Sequence, residues 1–206
     1  FAVGIGQLML TVPDWAQQLS ANIARYHVDG EVMDASLDAV MRYQMIDLRP
    51  LFHLVMPDRL VGPIAFATVG LLALLALRWL LPMGLRRHTR LAASGVGLLT
   101  LMPVYHRYYD AVLLLPLLVL VVNSLSERPR DRLVWVIAAA LFPLFFPLPA
   151  MFAVFESRGV LPQALVDTWL WSNVVMLHQA WCLLLVSLAL VWHTARQGQV
   201  KAVINK

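Results

Sequence analysis

Long apolar runs alternate with short polar breaks along the chain. Residues 60–81, 91–108, 109–125, 133–155 and 171–192 are dominated by Leu, Val, Ala, Ile and Phe. A helix of about 20 such residues crosses a hydrocarbon layer roughly 30 Å thick, so the pattern predicts five full membrane spans. The second is short unless it takes in part of the polar cluster near residue 105. Residues 1–12 read as a truncated first span, ended by Pro13-Asp14-Trp15 with the tryptophan at an interface. Strands of a membrane barrel would alternate over about ten residues, and these runs do not alternate. The expected fold is therefore all-α, a polytopic transmembrane helical bundle forming a single integral membrane domain over residues 1–206. The chain opens inside an apolar run with no basic leader, so it is expected to be the C-terminal part of a longer protein.

Between the truncated span and the first full one lies a polar segment, residues 13–58. Its apolar positions Trp15, Leu19 and Ile23, then Leu37, Val40, Met41 and Met45, recur at three and four. That periodicity describes two amphipathic helices on the membrane surface, broken at Asp29-Gly30. Pro143, Pro147 and Pro149 fall inside the run 133–155 and should kink or break its helix.

Charge sharpens the picture. Only 14% of residues are charged, against about 25% in soluble domains, and the cations sit between the apolar runs. Arg86, Arg87 and Arg90, then Arg128, Arg130 and Arg132, then Arg196, Lys201 and Lys206 all fall on one side if five spans alternate. By the positive-inside tendency that side, with the C-terminus, is cytoplasmic, most simply at the cell membrane. The segment 13–58, the cluster at residues 105–110 and the loop 156–170 then share the opposite face. The net charge of +4 carries no nucleic-acid message, because the basic residues are dispersed among short loops. A single cysteine, Cys182, excludes an internal disulfide and a cysteine-built metal site. Gly-rich phosphate loops, metal-spaced His/Cys sets and a serine nucleophile elbow are absent, which argues against a nucleotide-driven cytoplasmic reaction.

The candidate chemistry lies in Tyr105-His106-Arg107-Tyr108-Tyr109-Asp110, set between two apolar runs. Each charge left in lipid costs about 2.5–3.5 kcal/mol, so such a cluster is a site hypothesis by default. Tyr105, His106, Arg107, Tyr109 and Asp110 supply a cation, a group that can titrate near neutrality, hydroxyls and a carboxylate. His106 and Asp110, four apart, would share a helix face, the carboxylate fixing the imidazole. The alternative is an interface belt in which His106 and Asp110 only cap a turn. A second candidate is Arg42-Tyr-Gln-Met-Ile-Asp-Leu-Arg-Pro50. It reads first as a solvated amphipathic face, and second as a source of polar groups, Gln44, Asp47 and Arg49, for the same cavity. His27 and His53 read as surface residues of the amphipathic helices. His178, Asn173 and Gln179 read as hydrogen-bonding groups between helices, with a cavity role as the alternative.

The span ending at Pro103, the Tyr-His-Arg-Tyr-Tyr-Asp cluster and the following Leu-Leu-Leu-Pro-Leu-Leu resemble the C-terminal half of the family 87 (DUF2029-type) polytopic glycosyltransferases. The stretch Arg42-Tyr-Gln44 before a membrane helix is similar to that family's Asn/Gln-containing periplasmic segment. The resemblance covers roughly residues 1–125 and weakens after residue 133. It implies a GT-C architecture, a site on the outer face, and a polyprenyl-phosphate-linked sugar such as polyprenyl-phosphate mannose as donor substrate; no cofactor and no metal site are expected from the residues themselves. It also implies a lipid or glycan acceptor, with His106 near donor or acceptor, Tyr105, Arg107, Tyr109 and Asp110 beside it, and Gln44 as a sugar or phosphate contact. The catalytic base of that class is an acidic residue in the first non-cytoplasmic loop, expected ahead of this fragment. Two other readings stand beside it: a lipid-linked oligosaccharide ligase or polymerase, and a secondary transporter. Transport would line a midplane path with ionisable groups, whereas here they gather at one face.

Overall fold

The computed structural model describes residue 14 and residues 17–18, 20–21, 35–36, 39–83, 88–103, 106 and 108–204. Among the described residues the regular elements are helical. They are α1 (Arg49–Phe52), α2 (Asp58–Met83), α3 (Thr89–Leu101), α4 (Leu115–Glu127), α5 (Arg132–Leu141), α6 (Leu148–Ser157), α7 (Gln163–Val166) and α8 (His178–Ile204). Three 3-10 turns, Val40–Gln44, Tyr108–Leu114 and Phe142–Phe145, and one π turn, Trp171–Val175, join them.

Helix α8 is the axis of the bundle, packed against α2 and α5, while α3 pairs with α4. Leu98, Leu101, Leu114, Leu117, Ile137, Leu183, Val186 and Leu190 fill the space between them. The outward faces stay apolar, with Phe66, Leu74, Val119, Trp135 and Leu188 exposed. Such surfaces suit hydrocarbon, where packing between helices has no hydrophobic term to add. Serine and threonine side chains obey the same constraint. The hydroxyls of Ser94, Thr100, Ser126, Ser187 and Thr194 each donate to the carbonyl four residues back, so the helix satisfies them internally.

Three helical stretches are long and apolar enough to cross a membrane: Asp58–Leu81, Asp110–Glu127 and His178–Arg196. Arg132–Phe145 with Leu148–Ser157 makes a fourth if that bent pair counts as one, so the described residues hold three to four such stretches. The expected span 91–108 becomes the thirteen-residue α3. At about 1.5 Å per residue it covers only about 20 Å. It stops at Leu101 because Pro103 has no N–H to give and disfavours helix in the residue before it. The run 109–125 lies in a stretch long and apolar enough to cross, but its first residues are wound as the 3-10 turn Tyr108–Leu114. The run 133–155 is broken, as its prolines require, and its halves meet at 58°. The run 171–192 opens in the π turn, where the Met176 N–H donates to the Trp171 carbonyl at 2.9 Å.

The ends of the broken pair are defined by their own chemistry. Asp131 caps α5 by accepting from the Leu133 N–H at 3.0 Å. Gly159, at φ +64°, ends α6. Its N–H donates to Glu156 and that of Val160 to Phe155, both at 2.9 Å, the paired bonds of a Schellman stop that needs a left-handed residue. The loop after α4 and the far part of α8 come together, since Arg128, Arg130, Arg132 and Arg196 line one groove. The turn Tyr108–Leu114 and the π turn lie at the other ends of those two helices.

Two glycines in α3 give a matched test. A methyl group on Gly97 would be driven into the backbone carbonyl of Leu113, whereas one on Gly95 meets nothing within 4 Å. Gly97→Ala should cost about 1–3 kcal/mol through overpacking. Gly95→Ala should be neutral or slightly stabilising, and thermal unfolding of the two variants in one detergent checks the contrast.

Candidate functional site

The polar groups gather where residues 42–49 meet the end of the bundle away from the arginine groove. The segment is held by its backbone, with the Ile46 N–H donating to the His106 carbonyl at 2.8 Å and the Leu48 N–H to the Met102 carbonyl at 3.0 Å. Residues 45–51 are buried, Ile46, Asp47 and Leu48 completely so. This overturns the reading of the stretch as a solvated amphipathic face. Periodicity shows that one side is apolar, but the second wall here comes from Met102 and His106, which no local pattern reveals.

Asp47 is an internal carboxylate with its charge matched. One oxygen accepts the Arg49 N–H at 2.9 Å, and the other accepts Nη2 at 2.8 Å and Nε at 3.2 Å of the same guanidinium. This two-residue clamp turns the chain into α1 immediately before Pro50. The signal was present in Asp-Leu-Arg-Pro, since aspartate readily bonds backbone two residues on.

His106 is placed by two acceptors. Nδ1 lies 3.2 Å from Asp110 Oδ2 and Nε2 lies 3.2 Å from the Thr100 carbonyl, one of the last carbonyls of α3 and hence without a partner in its own helix. Both nitrogens therefore face oxygen, one at a carboxylate and one at the C-terminus of α3. The expected His106–Asp110 pairing is present, and the same geometry makes His106 the cap of α3. The side chains of His106 and Asp110 are 18% and 35% exposed, the part of the cluster open to the outside. Tyr105 and Arg107 lie outside the described residues, as does the side chain of Tyr109, whose backbone belongs to the turn Tyr108–Leu114. His27 also lies outside them. His53 is not a surface residue: its side chain is 10% exposed and its Nδ1 meets Asp58 at 3.0 Å, fixing the start of α2.

Gln44 turns towards the broken helix pair, where it lines a small pocket with Pro147, Pro149, Ala150 and Gln179. Arg42, which the sequence marks only as the start of the second candidate stretch, is 4% exposed. Its Nη2 donates to the Tyr43 hydroxyl at 2.8 Å and to Asn173 Oδ1 at 3.5 Å, and the guanidinium lies 4.7 Å from the Tyr43 ring centre. Asn173 sits in the π turn, an irregularity that frees carbonyls; its own carbonyl accepts from the Trp181 indole at 3.0 Å. Phe152 packs on both Trp171 and His178, and Tyr43 joins the same small apolar cluster. Of the expected residues the structure pairs His106 with Asp110 and Asp47 with Arg49 and turns Gln44 towards Gln179, and Arg42 with Asn173 is the addition. No group of three or more His, Cys, Asp and Glu is placed to hold a metal among the described residues. No family model matches the chain, and no curated protein or solved structure is significantly similar to it.

Because Asp47 is sealed and Arg49 nearly so, Asp47→Ala leaves a guanidinium without its counter-charge and should cost about 3–5 kcal/mol. Asp58, whose side chain is 85% exposed, is the comparison: Asp58→Ala should cost at most about 1 kcal/mol. Melting curves that rank the two equally would remove the clamp from its structural role.

Proposed function

We propose that the chain works in a membrane glycosyl transfer, moving a hexose, most simply mannose, from a polyprenyl-phosphate donor to a lipid or glycan acceptor. The observation that carries this reading is the gathering of titratable and charged side chains, Asp47, Arg49, His106, Asp110 and Arg42, at one end of an apolar bundle. The arginine groove of Arg128, Arg130, Arg132 and Arg196 lies towards the other end. By the positive-inside tendency the arginine end is cytoplasmic, so the candidate site opens on the outer face. A lipid-linked donor is the form of activated sugar available there. The resemblance of the Tyr105 to Asp110 stretch to family 87 glycosyltransferases supports the same assignment and a GT-C architecture.

In this mechanism an acceptor hydroxyl attacks the anomeric carbon as a carboxylate takes its proton. The bond from that carbon to the phosphate oxygen breaks with inversion, and polyprenyl phosphate leaves with the electron pair. Negative charge grows on the departing phosphate, so a positioned donor lowers the barrier. His106 is suited to this because it is partly exposed and Asp110 holds its ring. It would exchange the Thr100 carbonyl for a phosphate oxygen and remain hydrogen-bonded throughout. Gln44, Arg107, Tyr105 and Tyr109 are the neighbours assigned to sugar and phosphate recognition.

The test is a transfer assay in liposomes with labelled polyprenyl-phosphate mannose against GDP-mannose. Label should move from the lipid donor alone, and His106→Ala should lower the rate about 10²- to 10³-fold, the usual loss for one such donor. Near-normal turnover by a folded His106→Ala protein would take His106 out of the site, and transfer from the nucleotide sugar would refute the donor class.

A further inference from the structure

The arginine end of the bundle has no part in the transfer mechanism, and its charge is unbalanced. Arg128, Arg130 and Arg132 come from the turn between α4 and α5 and its junction with α5, and Arg196 comes from α8, far along the chain. Together they line an open groove of about 640 Å³, within the range of about 300–1,000 Å³ usual for ligand sites. All four are exposed. Asp131 is the carboxylate lining the groove, and it accepts the Leu133 N–H as the cap of α5. Four guanidinium groups against one carboxylate leave a formal excess of three positive charges. Among the described residues no ion pair involves any of the four. Like charges held side by side repel, and a bound anion turns that repulsion into attraction.

Two tryptophans set the depth of the groove. Trp135, one turn into α5 from Arg132, is exposed, and its indole N–H donates to the Pro129 carbonyl at 2.9 Å, tying the turn to the helix. Trp192, one turn before Arg196 in α8, is exposed as well. Exposed tryptophans on apolar helices mark the level of the lipid headgroups. Deeper in, the exposed surface is aliphatic. Val136 continues the face of Arg132, and Trp192, Leu188 and Leu185 follow Arg196 at helical spacings of four, four and three. Helices α5 and α8 pack on each other, so both stripes descend from the one groove. Cation at the rim, indole at the boundary and aliphatic surface beneath match the order of phosphate, glycerol and acyl chain in a phospholipid. A soluble phosphate would use the arginines and leave the stripes without a role.

We propose that this groove binds an anionic phospholipid, its phosphate held between the arginines of the turn and Arg196 and its acyl chains lying along α5 and α8. The charge excess selects a headgroup whose phosphate is not neutralised by its own choline or ethanolamine. Each surface arginine contributes about fivefold to such an affinity at moderate salt, and basic sites between helix ends hold lipids with one or more bare phosphates. Cardiolipin, with two, should therefore bind more tightly than phosphatidylglycerol. The lipid would bridge the turn before α5 and the far part of α8, which are otherwise joined at this end across mutually repelling cations. This goes beyond the transfer reading and stands without it, since no residue of the polar end takes part.

The experiment places the purified full chain in phosphatidylcholine nanodiscs containing a small fraction of lipid brominated on its acyl chains, and measures quenching of tryptophan emission. Brominated phosphatidylglycerol should quench more than brominated phosphatidylcholine at the same fraction, and unlabelled cardiolipin should relieve that excess. Arg128→Gln, Arg130→Gln and Arg196→Gln combined should weaken the preference at least 10-fold. Arg196→Gln alone, a loss of about fivefold, carries the test if the triple variant does not fold. The charge-matched control combines Arg59→Gln, Arg90→Gln and Arg158→Gln, exposed arginines that do not line the groove, and should keep the preference. Trp135→Phe with Trp192→Phe should remove the excess quenching while native mass spectrometry still finds phosphatidylglycerol retained. His106→Ala should bind lipid as the parent does, which keeps this test apart from the transfer assay. Equal quenching by the two brominated lipids, or an equal loss in the control variant, would overturn the proposal, the latter by showing diffuse attraction in place of a groove. Relief of the excess by inorganic phosphate at matched ionic strength would also overturn it, by assigning the arginines to a soluble anion.

Discussion

The fold at its polar end depends on the docking of residues 45–49 against Met102 and His106. Two backbone hydrogen bonds, Ile46 to His106 and Leu48 to Met102, close the gap between a segment that precedes the bundle and the turn that ends α3. That contact buries Asp47, and a buried carboxylate is tolerable only with its charge met and its lone pairs filled. Arg49 does both, through its backbone N–H and its guanidinium. The same contact fixes the backbone of His106, whose ring then closes the C-terminus of α3 and reaches Asp110. One short segment therefore sets the positions of two side-chain pairs, Asp47 with Arg49 and His106 with Asp110.

The other side of the site is made by irregular backbone. Prolines break the helix pair α5 and α6 at 58°, and the π turn displaces one residue at the start of the run that becomes α8. Backbone that departs from regular helix exposes carbonyls that must find partners. Here Phe146 receives Gln179, Asn173 receives Trp181, and Trp169 receives the Asn173 amide. Irregular backbone at this depth is tolerated where it is buried in protein or lines a cavity. The side chains recruited to satisfy it are also those that leave bonding capacity unused, on Gln179, His178 and Arg42.

Charge is distributed by the same economy of desolvation. Arg128, Arg130 and Arg196 are exposed at one end, open to the surroundings. Arg42 and Arg49 are enclosed at the other, so each must be matched by protein or ligand. Arg49 has its match in Asp47. Arg42 has an aromatic face, a hydroxyl and an amide oxygen, all of them neutral.

By itself the sequence determined the helical class, the apolar runs, the helix break at Pro143 to Pro149 and the pairing of His106 with Asp110 four residues on. All of these are local: hydropathy, proline geometry and an i to i+4 spacing act within a few turns of chain. It also marked Pro103, although the shortness of α3 follows only once the helix is seen to stop at Leu101. Tertiary structure alone decided that residues 45–51 are inside rather than on a wet surface, that Arg42 meets Asn173 across 131 positions of sequence, and that Gln44 faces Gln179. Burial is a property of two surfaces, and the second surface in each case comes from a distant part of the chain. An amphipathic period reports that one face is apolar, and only the packed structure says what covers the other.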